Sequence, residues 1–580
     1  MTNEDLYVQP LGDRAFLLTW NTEHVHARNI AAAAGYIRRL EFPWLQELVP
    51  AYRTIAIHIG SIDKTANEAA EELMRALKDY EPSTEPYEPK VVELPVVYGG
   101  GDGPDLEASA ARSRMTTESF AAAHRQPLYE VAMIGFAPGF PYLIGLPEQL
   151  AQPRHRTPRR SVQAGSVGIA GGQTGVYSVA SPGGWQIIGR TTERLFRPEG
   201  QSPFLLAPGD LVKFVPALEE THSTTLEPVI PMGSAPPALT VRKPGLHTTV
   251  QDAGRLGWRA YGVSVGGAMD SYALRMANIL VGNDEDDAGL EFTLTGATFT
   301  VERDVLIALS GAPIEASVDS EALPMNKPIA IRGGTTLSLG RIAVGCRTYM
   351  AVAGGIDAPL VLGSRSSDPR ARIGGSSGNG SPLSINDSLA CGSPSALSLV
   401  LADELHRRRR QERRSWATVS WQAAGINLGR REPVVLRVLL GAEWERFDDE
   451  ARSRFLGSTY QVGASSDRMG LRLSGPSVTI RHKTELISHG VCPGTIQVPP
   501  DGQPIVLAAG CQPTGGYPKA AHVIAADDSL LAQLTPGDLV RFETIDERHA
   551  LLARQERERD IALLKAGIFA RINTLTIGGR

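Results

Sequence analysis

The heptapeptide PGDLVKF at residues 208–214 recurs with a single substitution as PGDLVRF at residues 536–542. Each copy closes a long region of short strand-like runs that glycine and proline interrupt. AGSVGIAGGQTGVY, at residues 164–177, precedes the first copy, and PGTIQV (493–498) and QPTGGYP (512–518) match it loosely before the second. Because a whole strand-rich pattern is repeated, we predict a pair of related β-domains.

The residues around the two copies predict how the chain is organised. Residues 1–90 alternate between strand-like and helix-like stretches, which indicates an N-terminal α/β subdomain. Residues 218–237 are polar, rich in proline and without periodicity, as expected of an interdomain linker. In the rest of the chain we predict three β-rich domains, at residues 91–217, 238–430 and 431–545, and a charged helical tail at residues 546–580.

Composition excludes several classes of function. The 580 residues carry a formal net charge of −5, which gives no bulk attraction to nucleic acid or to anionic membranes. The sequence has no run of about 18 apolar residues, and its acidic N-terminus does not resemble a signal peptide. The four cysteines form no CxxC pair, and we expect no disulfide framework. We therefore expect a cytoplasmic protein without a nucleic-acid or membrane partner.

Two common catalytic signatures are absent from the sequence. HExxH and CxxC do not occur, so zinc proteases and dithiol redox proteins have no support. GCQPTGG at residues 510–516 is close to a phosphate loop, but glycine stands where the lysine should follow. No biotin-attachment sequence of the Ala-Met-Lys-Met kind appears, so we expect no covalently attached biotin.

Two short glycine-rich loops carry polar side chains that can contact a ligand. Glycine permits positive φ and lets a ligand approach backbone N–H groups closely. In GGQTG, Gln173 and Thr174 can contact a ligand or can satisfy a tight hairpin of their own. In SDRMG, Arg468 offers a planar fork to a carboxylate or phosphate, and Asp467 can orient it or take a proton. An internal ion pair that holds this loop is the alternative.

The third glycine-rich segment is HTTVQDAGRLGWRAYGVSVGGAMD, residues 247–270. It brings Gln251, Asp252, Arg255 and Asp270 together with five glycines. Such a mixture in a β-rich region suits a ligand-contacting loop better than a core strand. Packing of one loop against another is the alternative explanation.

Longer motifs resemble a known family. GFAPGFPYLIGLP (135–147), TPRRSVQAGSVGIAGGQTGVY and SPGGWQIIGRT resemble the smaller subunit of bacterial ATP-dependent 5-oxoprolinase, also called allophanate hydrolase subunit 1 or KipI. KPGLHTTVQDAGRLG, GGAMDSYALRMANILVGN, GGIDAPLVLGSRS, SDRMGLRLSGP and TGGYPKAAHVIAAD resemble the larger subunit, of the biotin-dependent carboxyltransferase-like or KipA family. Together the resemblances cover roughly residues 1–217 and 238–545, which indicates a fusion of the B and C subunits of that enzyme.

The resemblance implies a mainly β fold with an α/β N-terminal subdomain. Cyclophilin-like β-barrels would follow, one at 91–217 and two more at 238–430 and 431–545. The segment Gly135–Pro147 would form part of a cleft wall in the first barrel. Its aromatic and proline faces would line the pocket while its glycines let the backbone turn closely around a small ligand.

The implied activity is the ATP-dependent opening of 5-oxo-L-proline to L-glutamate, with ATP and Mg²⁺ and with a separate LamB/YcsF-type third subunit. A lactam is a poor electrophile, so phosphorylation of its carbonyl oxygen would activate it. The protein would bind phosphates, position the ring carboxylate and stabilise an oxyanion. The alternatives are a carboxyltransferase of the urea carboxylase or allophanate type, served by a separate biotin carrier, and a non-enzymatic histidine-kinase regulator. Assembly into a homo-oligomer stays open.

The chemistry of these steps suggests roles for the residues selected above. The charged residues of the glycine-rich segments are the predicted catalytic group: Asp467, Arg468, Asp252, Arg255 and Asp270. The arginines would supply positive charge, and the aspartates would hold a metal or act as a base. A second group is predicted to bind substrate or nucleotide: Phe136, Pro138, Gly139, Phe140, Tyr142, Gln173, Thr174, Gln251, Thr514 and Lys519.

The chain departs from the family pattern near its second Thr-Gly turn. Gly510 stands where an aspartate is expected, and Cys511 stands where a basic residue or histidine is expected. Pro513 replaces an expected threonine, and His489 replaces an expected glutamate. Acidic residues are thereby lost around Thr514. The catalytic role of this turn, and the substrate itself, stay open on the sequence alone.

Overall fold

A computed structural model describes residues 6–21, 25–78, 80, 88–217, 236–425, 432–480 and 486–577. The fold is mainly β, as predicted, with 34% of residues in strands and 23% in helices. Within these ranges no helix combines the length and the apolar character that a membrane span requires. Residues 218–235, which make up most of the predicted linker, lie outside the described residues.

The N-terminal subdomain is an antiparallel sheet covered by two helices. In spatial order its four strands are Leu6–Pro10, Ala15–Trp20, Thr54–Ile59 and Leu45–Ala51. Helices Ala27–Arg39 and Ala66–Ala76 contribute their apolar faces to the same core. The second helix begins with a capping box between Thr65 and Glu68, which explains why the helical pattern starts there.

Seven strands form a first closed barrel. Around the barrel they are Gln173–Val176, Pro141–Ile144, Tyr129–Ile134, Leu211–Pro216, Val91–Tyr98, Gln186–Thr191 and Ser166–Ala170. The strand that carries PGDLVKF pairs in parallel with Val91–Tyr98 and antiparallel with Tyr129–Ile134. Helices Leu106–Arg112 and Thr117–Arg125 add apolar side chains to the barrel core, and a two-stranded ribbon joins Arg159–Val162 to Ser181–Gly183.

A second closed barrel repeats this topology. Its strands are Val434–Leu440, Lys519–Val523, Thr495–Gln497, Ile505–Leu507, Gly470–Ser474, Tyr460–Val462 and Leu539–Thr544. The strand that carries PGDLVRF pairs in parallel with Val434–Leu440 and antiparallel with Tyr460–Val462. The two copies of the heptapeptide thus occupy the same position in two barrels, as a duplication predicts. Helices Asp449–Gly457 and Asp528–Ala532 and a ribbon of His489–Gly490 with Thr514–Gly515 complete the unit.

The middle region differs from the third barrel that the resemblance implied. Its strands form two six-stranded sheets, and neither closes within the described part of the chain. The first sheet contains Glu321–Ala322, Ile314–Val318, Thr336–Ile342, Thr298–Val301, Pro237–Lys243 and Ser388–Ala390. The second contains His247–Gln251, Gly289–Thr293, Arg347–Val352, Val305–Gly311, Pro328–Ile331 and Trp416–Thr418.

The packing of the middle region explains why its sheets stay separate layers. The two sheets face each other over one core, to which Leu239 and Phe299 contribute from the first and Ile307 from the second. Helices Ser271–Val281 and Ala396–Glu412 pack on the outer face of the second sheet. The second sheet is therefore covered by the first sheet on one face and by helices on the other. Both faces are buried without closure of the sheet into a barrel.

The charged tail forms one long helix, Glu547–Ile577, that holds several units together. Arg275 of the middle region donates to Glu558 at 2.7 Å, and Arg557 donates to the carbonyl oxygen of Ala526 beside the second barrel at 2.8 Å. Other side chains of the helix donate to carbonyl oxygens of the N-terminal subdomain. The tail therefore packs along its length instead of extending into solvent.

Candidate functional site

The segment GFAPGF, residues 135–140, joins the first barrel to the middle region. The Gly139 N–H donates to the carbonyl oxygen of Tyr261 at 2.8 Å. A Cβ atom on Gly262 would lie 2.5 Å from the carbonyl oxygen of Ala137. The two backbones can approach this closely only because residue 262 has no side chain.

The same segment contacts the second barrel. A Cβ atom on Gly135 would lie 2.3 Å from Oγ1 of Thr514, which belongs to the ribbon of that barrel. The next residue, Phe136, has a φ of +66° although it is not glycine. A non-glycine residue in this region is strained, at a cost of about 1–3 kcal/mol, and such residues concentrate at functional sites. Three β-units thus meet at this segment.

The aromatic residues that follow form a core beneath the segment. The ring of Phe140 lies edge-on to the rings of Tyr177 and Trp185, with centroids 5.2 and 5.4 Å away. Tyr142 packs on Phe140 at 5.0 Å, and burial raises the pKa of its phenol to about 12. Phe140 and Tyr142 therefore support the loop, whereas Phe136 lines a cavity.

That cavity, which we call the Phe136 cavity, has a volume of about 240 Å³. The first barrel, the middle region and the second barrel all contribute to its walls, with Phe136, Pro138, Ser181, Asp368, Arg372 and Gln512. The predicted cleft wall at Gly135–Pro147 thus supplies one side of a real cavity through Phe136 and Pro138. Cavities between domains are common positions for ligand sites.

The middle region supplies the charged side of the Phe136 cavity. Oδ1 of Asp368 accepts the N–H groups of Arg370 at 3.1 Å and of Ala371 at 3.0 Å, which shapes the turn. Arg372 has a φ of +56°, is exposed, and has no hydrogen-bond or ion-pair partner among the described residues. An uncommitted guanidinium opposite an aromatic and proline wall suits a small ring that carries a carboxylate.

A second cavity, of about 180 Å³, lies where the N-terminal subdomain meets the middle region and the second barrel. We call it the His58 cavity. Its polar lining consists of Arg14, Gln46, His58, Arg259, Ser271 and Asp528. The remaining walls are apolar side chains, many of them alanine, and Cys492.

The two cavities share a wall. Gly262 and Ser264 line the Phe136 cavity, whereas Val265 and Gly266 line the His58 cavity. The Ser264 hydroxyl donates to the carbonyl oxygen of Gly510, which closes the wall from the second barrel. The glycine-rich segment 247–270 therefore separates two cavities.

The predicted catalytic pair on the SDRMG loop is divided between two structural tasks. Asp467 is exposed, and its carboxylate accepts the N–H of Met469 at 2.8 Å within its own turn. Arg468 turns inward and forms an ion pair with the fully buried Glu291. The internal ion pair considered for this loop exists, but its acid is Glu291 and not Asp467. Neither residue lines the Phe136 cavity or the His58 cavity.

Asp252 and Arg255 hold the loop at residues 364–366. Asp252 accepts the hydroxyl of Ser364 at 2.6 Å and the N–H of Gly254 at 2.8 Å. Arg255 is fully buried and donates through Nη2 to the carbonyl oxygen of Ser366. Its Nε and Nη1 have no partner in the described residues, and burial lowers its pKa.

Gln251 and Asp270 are buried as well. Gln251 donates to Thr249 at 3.0 Å. Asp270 caps the helix Ser271–Val281 and accepts the hydroxyl of Ser529 at 2.8 Å, which links the middle region to the second barrel. Burial raises the pKa of Asp270 above its ordinary value. The carboxylates of Asp252 and Asp270 are thus held in structural contacts, whereas Nε and Nη1 of Arg255 and Oε1 of Gln251 have no partner in the described residues.

Gln173 and Thr174 also form structural contacts. The Gln173 amide donates to the hydroxyl of Tyr52 at 2.7 Å, which joins the barrel to the N-terminal subdomain. Thr174 is fully buried, and its hydroxyl donates to the carbonyl oxygen of Gly168 at 3.0 Å and lies 2.9 Å from Nε2 of His124. Thr174 therefore bonds within its own hairpin, as the alternative explanation held, whereas Gln173 bonds to a different subdomain.

Lys519 belongs to a buried polar cluster that the sequence did not predict. Its Nζ lies 2.7 Å from Nε2 of His489 and donates to the carbonyl oxygen of Gly515 at 3.1 Å. The same Nε2 lies 3.0 Å from Oε1 of Glu443. Burial lowers the pKa of Lys519 to about 8, although the charge of Glu443 opposes the shift. The departure from the family pattern at His489 was the one sequence signal for this cluster.

Within the described ranges, the aspartates predicted to hold a metal do not come together. No group of three or more His, Cys, Asp and Glu side chains comes together in the described ranges. Asp252, Asp270 and Asp467 are each committed to the separate contacts described above. They do not share a site, because each caps or links a different loop.

Two family models match the chain in succession. The model for "Carboxyltransferase domain, subdomain C and D" matches residues 6–206, and the model for "Carboxyltransferase domain, subdomain A and B" matches residues 261–544. The chain is 40% identical to the C subunit of 5-oxoprolinase from Escherichia coli, over 55% of this chain and 96% of that protein. It is 39% identical to the B subunit of 5-oxoprolinase from Bacillus subtilis, over 37% of this chain and 94% of that protein.

The chain belongs to the carboxyltransferase-domain family that includes the B and C subunits of 5-oxoprolinase.

Within this family the chain is a fused B and C protein. It is also 30% identical to the urea amidolyase of Lachancea kluyveri, over 59% of this chain but only 18% of that protein. The crystal structure of TTHA0988 superimposes with a TM-score of 0.77 and 33% identity, covering 91% of this chain and 99% of that one. The B-like half supplies the Phe136 wall of the first cavity, and the C-like half supplies Asp368, Arg372 and Gln512. The Phe136 cavity therefore exists only where both halves meet.

Proposed function

We propose that this fused protein is the B and C component of an ATP-dependent 5-oxoprolinase. In this proposal it converts 5-oxo-L-proline to L-glutamate together with a LamB/YcsF-type third subunit on a separate chain. The observation that carries the proposal is coverage: the chain spans 96% of one 5-oxoprolinase C subunit and 94% of one B subunit, but 18% of a urea amidolyase. A chain in which the B and C subunits are fused is expected of an enzyme built from several subunits.

The Phe136 cavity supports the proposal because its two sides match the two parts of the substrate. The apolar faces of Phe136 and Pro138 suit the carbon skeleton of the five-membered ring. Arg372 has no other partner among the described residues and suits the ring carboxylate. Ser264 and Gln512 offer hydrogen-bonding groups to the lactam.

ATP would act as the co-substrate that activates the lactam by phosphorylating its carbonyl oxygen. The residues of this chain then bind the ring, keep it oriented and shield it from bulk water between three β-units. Arg370, exposed at the edge of the same cavity, offers positive charge where phosphate oxygens would lie. Mg²⁺ would be bound by the phosphates of ATP.

The alternative is carboxyl transfer to a small amide, with carboxyl groups delivered by a separate biotin carrier. The names of the matching family models and the partial match to urea amidolyase favour it. A histidine-kinase regulator without enzymatic activity has no specific observation in its favour. We therefore rank lactam opening first.

The deciding experiment measures L-glutamate release from 5-oxo-L-proline with ATP and Mg²⁺. The fused protein is assayed alone and with the third subunit, and ADP is measured in parallel. Glutamate and ADP formed together, only when both proteins are present, is the expected result. If a verified complex yields no glutamate but accepts carboxyl groups from a biotin carrier, the alternative replaces this proposal.

A pair of matched variants assigns the reaction to the Phe136 cavity. Ala180→Leu narrows that cavity, whereas Ala111→Leu makes the same change at an exposed position of the helix Leu106–Arg112 on the same barrel. We expect Ala180→Leu to abolish most of the turnover and Ala111→Leu to retain it. Full activity in Ala180→Leu would place the substrate elsewhere.

A further inference from the structure

The His58 cavity has the composition of a second ligand site. We propose that it binds a small zwitterion, an α-amino acid, at the junction of the N-terminal subdomain, the middle region and the second barrel. This inference does not depend on the proposed function, because it rests on residues that do not line the Phe136 cavity.

The size of the cavity limits the ligand. Its volume of about 180 Å³ far exceeds the space that a single water requires. It is smaller than the roughly 300–1,000 Å³ of pockets for drug-sized molecules. Small side chains such as Ala253, Ala268, Ala508 and Ala532 form much of the wall. The space therefore suits a compact molecule.

His58 places an unpartnered polar atom in the wall of the cavity. His58 is 2% exposed and lines the cavity, yet its Nε2 has no hydrogen-bond partner in the described residues. Buried polar atoms nearly always have a partner. Burial and the charges of Arg259 and Arg14 hold the pKa of His58 well below its ordinary value. The imidazole is therefore neutral and offers one hydrogen bond without a charge.

The charged groups of the cavity occur in opposite pairs. Arg14 donates to Asp528 at 2.6 Å, and both side chains are 26% exposed. Arg259 forms an ion pair with Glu47 through Nη1 and also donates its backbone N–H to the same carboxylate at 2.7 Å. Each guanidinium is thus balanced by one carboxylate, and the site as a whole is close to neutral.

This balance discriminates between classes of ligand. A bare anion would approach Arg14 and Arg259 but would be repelled by Asp528 and Glu47. A zwitterion brings both signs: its carboxylate can bind an arginine while its ammonium binds Asp528. His58 then supplies the remaining hydrogen bond. We therefore assign the site to an α-amino acid over phosphate or a simple carboxylate.

Isothermal titration calorimetry of the full chain with L-alanine tests the proposal. Acetate and methylamine each carry one half of the zwitterion, and inorganic phosphate is the bare anion. We expect saturable binding of L-alanine, with each half-molecule and phosphate at least about tenfold weaker. Absence of saturable binding by L-alanine, or equal binding of phosphate, overturns the assignment.

Two variants locate the binding site and test the role of its charged groups. Asp528→Asn removes the negative charge that would bind the ammonium and leaves Arg14 without its charged partner. It should weaken L-alanine about tenfold and strengthen acetate. Ala509→Leu fills the cavity without changing any charge and should abolish binding, so the proposal stays testable if Asp528→Asn does not fold. Ala180→Leu, in the other cavity, should bind L-alanine normally. Normal binding by Ala509→Leu would show that the site lies elsewhere.

Discussion

Arg468 of the second barrel forms an ion pair with Glu291 of the middle region across the boundary between two domains. Glu291 is fully buried and also accepts the N–H of Met269 at 2.9 Å and the hydroxyl of Tyr349 at 2.7 Å. Burial raises its pKa, but the charges of Arg468 and Arg347 more than offset this and keep its pKa below the ordinary value. The carboxylate therefore stays ionised and ties the two domains together.

Replacing Arg468 with methionine should destabilise the protein strongly, because it leaves Glu291 buried without its nearest charge partner. We expect the free energy of unfolding to fall by about 3–5 kcal/mol. Urea denaturation followed by fluorescence measures it. Asp467→Asn changes the adjacent exposed residue and should cost less than about 1 kcal/mol. The double variant Arg468→Met/Glu291→Gln should recover part of the loss, and equal losses for Arg468→Met and Asp467→Asn would contradict the argument.

Gly262→Ala should cost more than backbone strain alone. Gly262 has a φ of +77°, and its new Cβ would lie 2.5 Å from the carbonyl oxygen of Ala137. Gly257 has a φ of +89° and no atom within 4 Å of the same position, so Gly257→Ala isolates the strain, of about 1–2 kcal/mol. Thermal unfolding compares the two variants. A lower midpoint for Gly262→Ala is expected, and matching midpoints would mean that the interdomain approach is not tight.

Lys519 should make stability depend on pH above neutrality. Burial lowers its pKa from the ordinary 10.5 to about 8 in the folded protein. Between these values the unfolded chain binds more protons than the folded chain, so the free energy of unfolding rises with pH. The slope from this group is at most about 1.4 kcal/mol per pH unit, and it vanishes below the folded pKa because both states are then protonated.

The variant Lys519→Met separates this contribution from other titrating groups. The difference in free energy of unfolding between wild type and Lys519→Met is measured by denaturant titration at several pH values from 7 upward. It should shift in favour of the wild type as pH rises above about 8. A difference that stays constant over this range would show that the Lys519 amine titrates normally.

Arg372→Gln tests the proposed contact with the ring carboxylate. The substitution keeps hydrogen-bonding capacity but removes the charge. We expect the KM for 5-oxo-L-proline to rise about tenfold or more with a smaller change in kcat, because the carboxylate is bound equally in the ground and transition states. Arg407→Gln, on the exposed face of the helix Ala396–Glu412, is the control. A fall in kcat alone would assign Arg372 another role.

The individual predicted site residues show where sequence reasoning stops. Phe136 and Pro138 were predicted as cavity-lining residues and do line one. Arg468 was predicted as catalytic from its neighbours in the loop, but its partner Glu291 is 177 positions away. Arg372 and His58 stand in no motif, and both were selected because the Arg372 side chain and Nε2 of His58 have no partner among the residues that the structure describes.

The sequence by itself determined the secondary-structure pattern, the duplicated barrels and the family. These follow from short-range periodicity and from motifs that are contiguous in the chain, such as PGDLVKF and PGDLVRF. Tertiary structure alone decided that the middle region forms two sheets and that two cavities flank residues 262–266. Arg14 and Asp528 are 514 positions apart, and their pairing depends on how separate domains dock. Burial and charge pairing are properties of that docking, and no local pattern records them.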